Sequence, residues 1–214
     1  MTQQPDVTVI GGGVTGASTL YHLASLGATR SLLLDSGPIA GGFTGRSMAI
    51  LRTHYSNEVT ARMAWESLQI LQHFEDIVGA PSGYVRTGYL LVAPGDFRAA
   101  LEHNVALQKR VGVDTDVLDE SGREAMAEWF ALDEDEVCAY EPQSGYADSY
   151  LVTTGFASAA QRLGAEVRTG IPVTAIEVER GRVTAAVTAH DRIPTKTVIV
   201  AAGPWSVGLL EPLG

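Results

Sequence analysis

Three glycines and one aspartate carry the first chemistry legible in this 214-residue sequence: Gly11, Gly13 and Gly16 stand in a GxGxxG spacing, and Asp35 follows nineteen residues after Gly16. The set suits a dinucleotide. Gly11 permits a tight turn, Gly13 lets backbone N–H groups approach a pyrophosphate at the positive end of a helix, and Gly16 allows helix and strand to pack closely. Asp35 is placed to accept hydrogen bonds from a ribose diol. A carboxylate rather than a basic residue at that position argues against a 2′-phosphate, and hence against NADP. Other candidate chemistry is weaker. The four adjacent acids Asp133, Glu134, Asp135 and Glu136 cannot all converge on one ion and read as a solvated loop. Gly45-Arg46-Ser47-Met48-Ala49 has the outline of a hydrolase nucleophile elbow, but no buried strand precedes Ser47 and no Asp and His follow in suitable context. His22, His73, His103 and His190 lack metal-ligand spacing, and Cys138, far from the glycines, reads as a buried apolar thiol.

The elements around the glycines agree with their use. Asp6-Val7-Thr8-Val9-Ile10 is a short β-branched strand, Ala17, Leu20, Tyr21 and Ala24 recur at helical spacing, Gly27 sits where a C-cap glycine would, and residues 31–35 form a second buried strand. This predicts a βαβ unit rather than a glycine-rich loop in an ordinary α/β protein. An NAD dehydrogenase would continue in alternating strands and helices, whereas a long glycine-rich passage spans 37–47. Beyond it the pattern predicts a helix over 58–78 with Met63, Ile70, Leu71, Phe74 and Ile77 on one face, and a strand over 84–92. Asp96 is expected to cap a helix carrying Leu101, Val105 and Val111, and Ser121-Gly122-Arg123-Glu124 has the form of a capping box. A helix over 151–163, a strand over 166–168, a hairpin of 171–179 with 182–188 across Arg180-Gly181, and a buried strand over 197–201 complete the reading.

Four segments in order, VTVIGGGVTG, LLLD, GGFTGRS followed by ILRTHY, and VIVAAGPWS, make the chain resemble the N-terminal half of the FAD-dependent amine and amino-acid oxidases of the D-amino-acid oxidase and sarcosine oxidase type. The resemblance implies an α/β fold: a Rossmann-like FAD-binding domain with a β-meander (1–57 and 156–214) and part of a mixed-sheet α+β substrate domain (58–155). It implies that FAD is held at the first turn by Gly11, Gly13, Val14, Thr15 and Gly16, and at the ribose by Asp35 and Ser36. Gly42, Thr44, Gly45, Arg46 and Ser47 would follow in the flavin loop. Val173 would contact adenine through its backbone, and Ala202, Gly203 and Trp205 would approach the dinucleotide. In sarcosine-oxidase-like members an arginine behind the flavin loop grips the substrate carboxylate, and Ile50-Leu51-Arg52 aligns with that segment, which makes Arg52 the candidate anchor. The alternative is an arginine paired with a structural acid or with the flavin phosphates. His54 is expected to share the face of Arg52 if the strand is regular, either lining the site and orienting flavin or serving as a hydrogen-bonded structural histidine. Thr44-Gly45 replaces the histidine pair some members carry, and the tryptophan-histidine motif for covalent attachment is absent, so no covalent link through this half is expected.

Composition bounds the rest. Hydrophobic residues at 45% and charged residues at 19% give a chain that folds, and a net charge of −10 repels nucleic acid in the absence of a basic stripe. A single cysteine, a start without signal-peptide regions and no apolar run of membrane-spanning length lead to the expectation of a cytoplasmic protein. Family members continue for about as much chain again, so a second polypeptide supplying the C-terminal half is expected, with the edge beside the last strand otherwise open. The reaction implied is oxidation of the C–N bond of a small amine or amino-acid substrate to an imine. A 2-hydroxy acid dehydrogenase on the same fold and a non-catalytic flavin-binding subunit or fragment are the alternatives.

Overall fold

The computed structural model describes residues 4–214; the first three residues of the expected flavin domain, where the stretch read as lacking a signal peptide begins, lie outside the described residues. In chain order the elements are β1 (Val7–Ile10), α1 (Val14–Ser25), β2 (Ser31–Leu34), β3 (Ile50–Leu51), α2 (Glu58–Gln72), α3 (Phe74–Val78), β4 (Val85–Arg86) and β5 (Tyr89–Ala93). There follow α4 (Arg98–Val111), β6 (Asp116–Val117), α5 (Glu120–Met126), β7 (Val137–Glu141), β8 (Gly145–Tyr146) and α6 (Ser149–Arg162). The last are β9 (Glu166–Arg168), β10 (Val173–Glu179), β11 (Arg182–Thr188), β12 (Arg192–Pro194), β13 (Thr197–Val200) and α7 (Ser206–Leu210). Two compact units result. One comprises the chain up to Met48, Phe74–Ser82 and Asp148–Gly214; the other comprises Ala49–His73 and Gly83–Ala147. No helix among the described residues is long and apolar enough to cross a membrane.

The first unit is built on a parallel sheet in the order β13-β1-β2-β9. All four residues of β2 are buried because both faces of the sheet are covered, which explains why its sequence is a continuous apolar run rather than an alternation. Val9 and Leu33 point to the helical side and pack with Leu20 and Ala24 of α1 and Ala160 of α6. Leu32 and Leu34 point the other way, against Ile193 of the antiparallel meander β10-β11-β12, and Ile10 meets Ile176 there. Each such side chain contributes about 1.5–3 kcal/mol on full burial. Asp148 caps α6 by accepting from the N–H groups of Tyr150 (2.8 Å) and Leu151 (2.9 Å), so that helix begins two residues earlier than periodicity indicated.

The second unit holds two three-stranded antiparallel sheets, β3-β8-β4 and β5-β7-β6, with Leu101 and Val105 of α4 packed on Val137 and Ala139 of β7. Several elements differ from expectation. The helix over 58–78 breaks at His73: α2 buries Ala61 and Leu68, α3 buries Phe74 and Val78, and Met63 and Ile77 are exposed. Phe74 sits edge-on to Phe156 at 4.8 Å, a long-range contact that outweighs continuation of the local period. The strand over 84–92 is likewise two strands in two sheets. Asp96 lies in a 3-10 turn and does not cap α4, whose N-cap Phe97 makes no side-chain bond. Asp119 rather than Ser121 caps α5, accepting from Gly122 N–H at 2.8 Å.

Candidate functional site

The C-terminal ends of β1, β2 and β13 open together onto the first turn of α1, where a cleft of about 760 Å³ lies within the first unit. Cofactor sites commonly enclose about 300–1,000 Å³. The glycine turn is built for close approach. Gly11 has φ +115° and a Cβ on it would lie 2.4 Å from the Ala201 carbonyl oxygen; a Cβ on Gly16 would lie 1.8 Å from the Gly11 oxygen. Gly13 is the N-cap of α1 and has no side chain with which to satisfy the first-turn amides, and that turn contains no acid. The Val14 N–H donates to Thr44 Oγ1 at 3.1 Å, which brings the glycine-rich loop over the helix end. The first-turn amides beyond Val14, left without a side-chain cap at the positive end of a helix, are an anion site in form.

Asp35 does more than wait for a ligand. Its Oδ2 accepts from Gly12 N–H at 2.5 Å and its Oδ1 from Gly37 N–H at 2.7 Å, so the carboxylate ties the turn after β1 to the loop after β2. A carboxylate has about four acceptor positions, and two remain for a diol. Of the sequence-derived residues, Gly11, Gly13, Val14, Thr15, Asp35 and Ser36 line the cleft, together with Gly42, Thr44 and Arg46 of the loop. Val173, Ala202, Gly203 and Trp205 line it from the other chain segment. Gly16, Gly45 and Ser47 are not on its wall. Gly45 is needed for packing, since a Cβ there would meet the Ala40 carbonyl oxygen at 2.2 Å. Ile10, Leu34 and Val200 form apolar wall, and Phe43, exposed like Trp205, packs on it with ring centroids 5.7 Å apart. Sequence reasoning omitted these residues, although strand ends at such a crevice are where a ligand rests in doubly wound sheets. A helix end whose N-cap glycine supplies no side-chain cap, a fixed carboxylate and a cradle that side chains would fill are compatible with FAD.

Arg52 and His54 belong to the second unit. β3 ends at Leu51, so the regular alternation expected beyond it does not hold. Instead the Arg52 guanidinium lies over the Tyr55 ring at 5.0 Å and Nη1 donates to the His54 carbonyl at 3.2 Å. No ion pair joins Arg52 to an acid among the described residues, and the bond to His54 engages one of its five N–H donors. The His54 side chain is buried, with Nδ1 3.7 Å from Glu141 Oε1 and neither atom hydrogen-bonded. That spacing is ion-pair range, but burial holds the imidazole below its ordinary pKa, the Arg52 charge adds to the effect and Glu141 opposes it, so the ring is neutral at pH 7. Glu141, absent from the sequence reading, is 1% exposed and accepts through Oε2 from Thr53 N–H (2.8 Å) and from the Ser144 hydroxyl (2.7 Å). Cys138 is buried in β7 and its thiol is pushed up by burial, which makes it unreactive. No cluster of metal-ligating side chains occurs among the described residues.

The FAD dependent oxidoreductase family model matches residues 6–214. Mitochondrial sarcosine dehydrogenase of Mus musculus is 29% identical over 208 residues, covering 94% of this chain and 23% of that protein. Sarcosine oxidase subunit beta of an Arthrobacter species is 27% identical over 229 residues, covering 98% of this chain and 53% of that one. Among solved structures, L-proline dehydrogenase from P. horikoshii superposes with a TM-score of 0.86 at 22% identity over 99% of this chain and 56% of its own, which shows the fold. The chain thus spans about a quarter to somewhat over half of the length of these relatives.

Proposed function

Because the chain belongs to the FAD dependent oxidoreductase family, we propose that it binds FAD in the cleft beside the glycine turn and belongs to an enzyme that oxidises the C–N bond of an amino acid or N-alkyl amine. The substrate loses two electrons and two protons to become an imine, which water hydrolyses. When bound, FAD supplies the two-electron acceptor. Asp35 and Ser36 hold the adenosine ribose, Gly11, Gly13, Val14 and Thr15 hold the pyrophosphate with Gly16 behind them packing the turn against the helix, and Val173 meets the adenine. The loop residues Gly42, Thr44 and Arg46 and the segment Ala202, Gly203 and Trp205 complete the enclosure, while Gly45 and Ser47 shape the loop from outside the wall. Arg52 receives the substrate carboxylate, and His54, neutral and buried, is a structural histidine whose backbone carbonyl accepts from Arg52 Nη1. The observation that carries the substrate class is the Arg52 side chain: exposed, without an acidic partner among the described residues and held over the Tyr55 ring, with donors to spare for a bidentate anion.

Anaerobic mixing of the flavin-loaded protein with N-methylglycine, with N-methylpropylamine and with glycolate tests the reading. Bleaching of the flavin absorbance by N-methylglycine supports it, bleaching by glycolate alone points to 2-hydroxy acid oxidation, and no bleaching by any of them indicates a non-catalytic flavin-binding chain.

We also propose that a second polypeptide packs beside β13, one of the two edge strands of the parallel sheet among the described residues. Val207, Leu210 and Leu213 are exposed just beyond that strand, and an unpaired strand edge flanked by apolar surface favours association. Light scattering and native mass spectrometry of the purified protein check this, and an active flavin-loaded monomer of this chain refutes it. The cytoplasmic assignment rests on the single buried Cys138, and fractionation of cells tests it.

A further inference from the structure

The segment after β3 has backbone groups that side chains, rather than a strand, satisfy. Thr53 N–H donates to Glu141 Oε2 at 2.8 Å, and the Tyr55 carbonyl accepts from Gln108 Nε2 at 3.2 Å. The donors and acceptors come from distant chain, the end of β7 and the interior of α4. Glu141 is 1% exposed and Gln108 fully buried, and both are costly to bury. Neither is there for its own satisfaction: Glu141 Oε1 and Gln108 Oε1 have no hydrogen-bond partner among the described residues. The Ser144 hydroxyl, donating to the same Oε2, fixes the carboxylate that holds Thr53. Backbone is therefore pinned on both sides of His54, and what is set in place by that pinning is the exposed Arg52 guanidinium over the half-buried Tyr55 ring.

We infer that Glu141 and Gln108 are positioning residues that fix the Arg52–Tyr55 pair as a receptor for the carboxylate of an anionic substrate. The inference rests on the role proposed above for Arg52. Displacement of an anchoring group by about 1 Å is enough to lower productive binding severely. Apolar residues of similar size at 108 and 141 would fill the same space more cheaply, but they would leave the buried Thr53 amide and the half-buried Tyr55 carbonyl without these partners.

The experiment uses the flavin-loaded full protein and the variants Glu141→Ala, Glu141→Gln, Gln108→Leu and Arg52→Ala, with KM and kcat measured for N-methylglycine and for N-methylpropylamine, which lacks the carboxylate. Glu141→Ala is expected to raise KM for N-methylglycine about ten-fold, with kcat and the amine kinetics changed less than about two-fold, as loss of one positioning hydrogen bond would. Hydrogen exchange at the Thr53 amide rises in parallel. Glu141→Gln keeps an acceptor for that amide and restores KM to within about three-fold. Gln108→Leu is expected to act in the same direction, and it decides the matter if Glu141→Ala does not fold. A folded, flavin-loaded Glu141→Ala or Gln108→Leu protein with unchanged KM, or with equal losses on both substrates, overturns the inference while a raised KM in Arg52→Ala leaves the substrate reading intact. If Arg52→Ala itself leaves KM unchanged, the substrate reading fails, and this inference with it.

Discussion

Replacing Asp35 by Ala removes two bonds that exist before any cofactor arrives. The carboxylate stands between the Gly12 and Gly37 N–H groups at 2.5 and 2.7 Å, and each amide left without its acceptor costs about 1–3 kcal/mol where water cannot replace it. Asp35 is half-buried, so solvent reaches part of the site and the low end of the range applies, about 2 kcal/mol in total for the cofactor-free protein. For a chain of this size that lowers Tm by about 4–8 °C. Flavin affinity falls further, because the ribose hydroxyls lose their acceptor, by about 1–3 kcal/mol or roughly 5- to 150-fold in Kd. Asp35→Asn keeps one acceptor oxygen and should lie between the two. Thermal melts of the cofactor-free proteins and titration with FAD, followed by quenching of its fluorescence, separate the two effects. Coincident melts of wild type and Asp35→Ala refute the clamp between the two loops; an unchanged Kd with a lowered Tm refutes the ribose contact.

Gly16→Ala forces a Cβ to within 1.8 Å of the Gly11 oxygen, a backbone atom that cannot turn aside, and should cost about 3 kcal/mol or more, read by chemical denaturation, with loss of flavin binding. His54 makes stability depend on pH in a defined window: the unfolded chain takes up its proton near 6.5 while the buried ring resists it, so stability falls as pH drops from above 6.5 to the depressed folded value and falls no further on this account below it. His54→Gln should flatten that part of a Tm-against-pH curve. Arg52→Ala should weaken carboxylate-bearing substrates by about 2–5 kcal/mol and uncharged amines little, measured as kcat/KM.

The βαβ unit was legible because every local signal agreed: a β-branched strand, glycines at fixed spacing, a helix with Leu20 and Ala24 on one face and an acid at the end of the next strand. The hairpin β10–β11 was legible for the same reason, its turn falling at Arg180 and Gly181. Sequence did not reveal the break at His73, because the helical period continues through it and only the contact of Phe74 with Phe156 shows which unit claims the residue. Nor did it reveal Glu141. An acid followed by proline reads as a surface turn, and its burial beneath Thr53 depends on pairing two strands far apart in sequence, β3 and β7, to their separate sheets. The expected regular strand through His54 failed where β3 ended after two residues, a length that alternation cannot forecast.

The register of the parallel sheet has a bearing on how the protein is made. Val7 of β1 pairs with Thr197 of β13, while the other edge of β1 pairs with Ser31 of β2. During synthesis at about 5–20 residues per second, β1, α1 and β2 leave the ribosome early, but one side of β1 waits on the order of ten seconds or more for β13. Closing so long a loop is slow even once both strands are present. Throughout that interval a strand that ends fully enclosed shows a bare row of amides and carbonyls, so the nascent chain, rather than the finished protein, is the species that most needs chaperone protection.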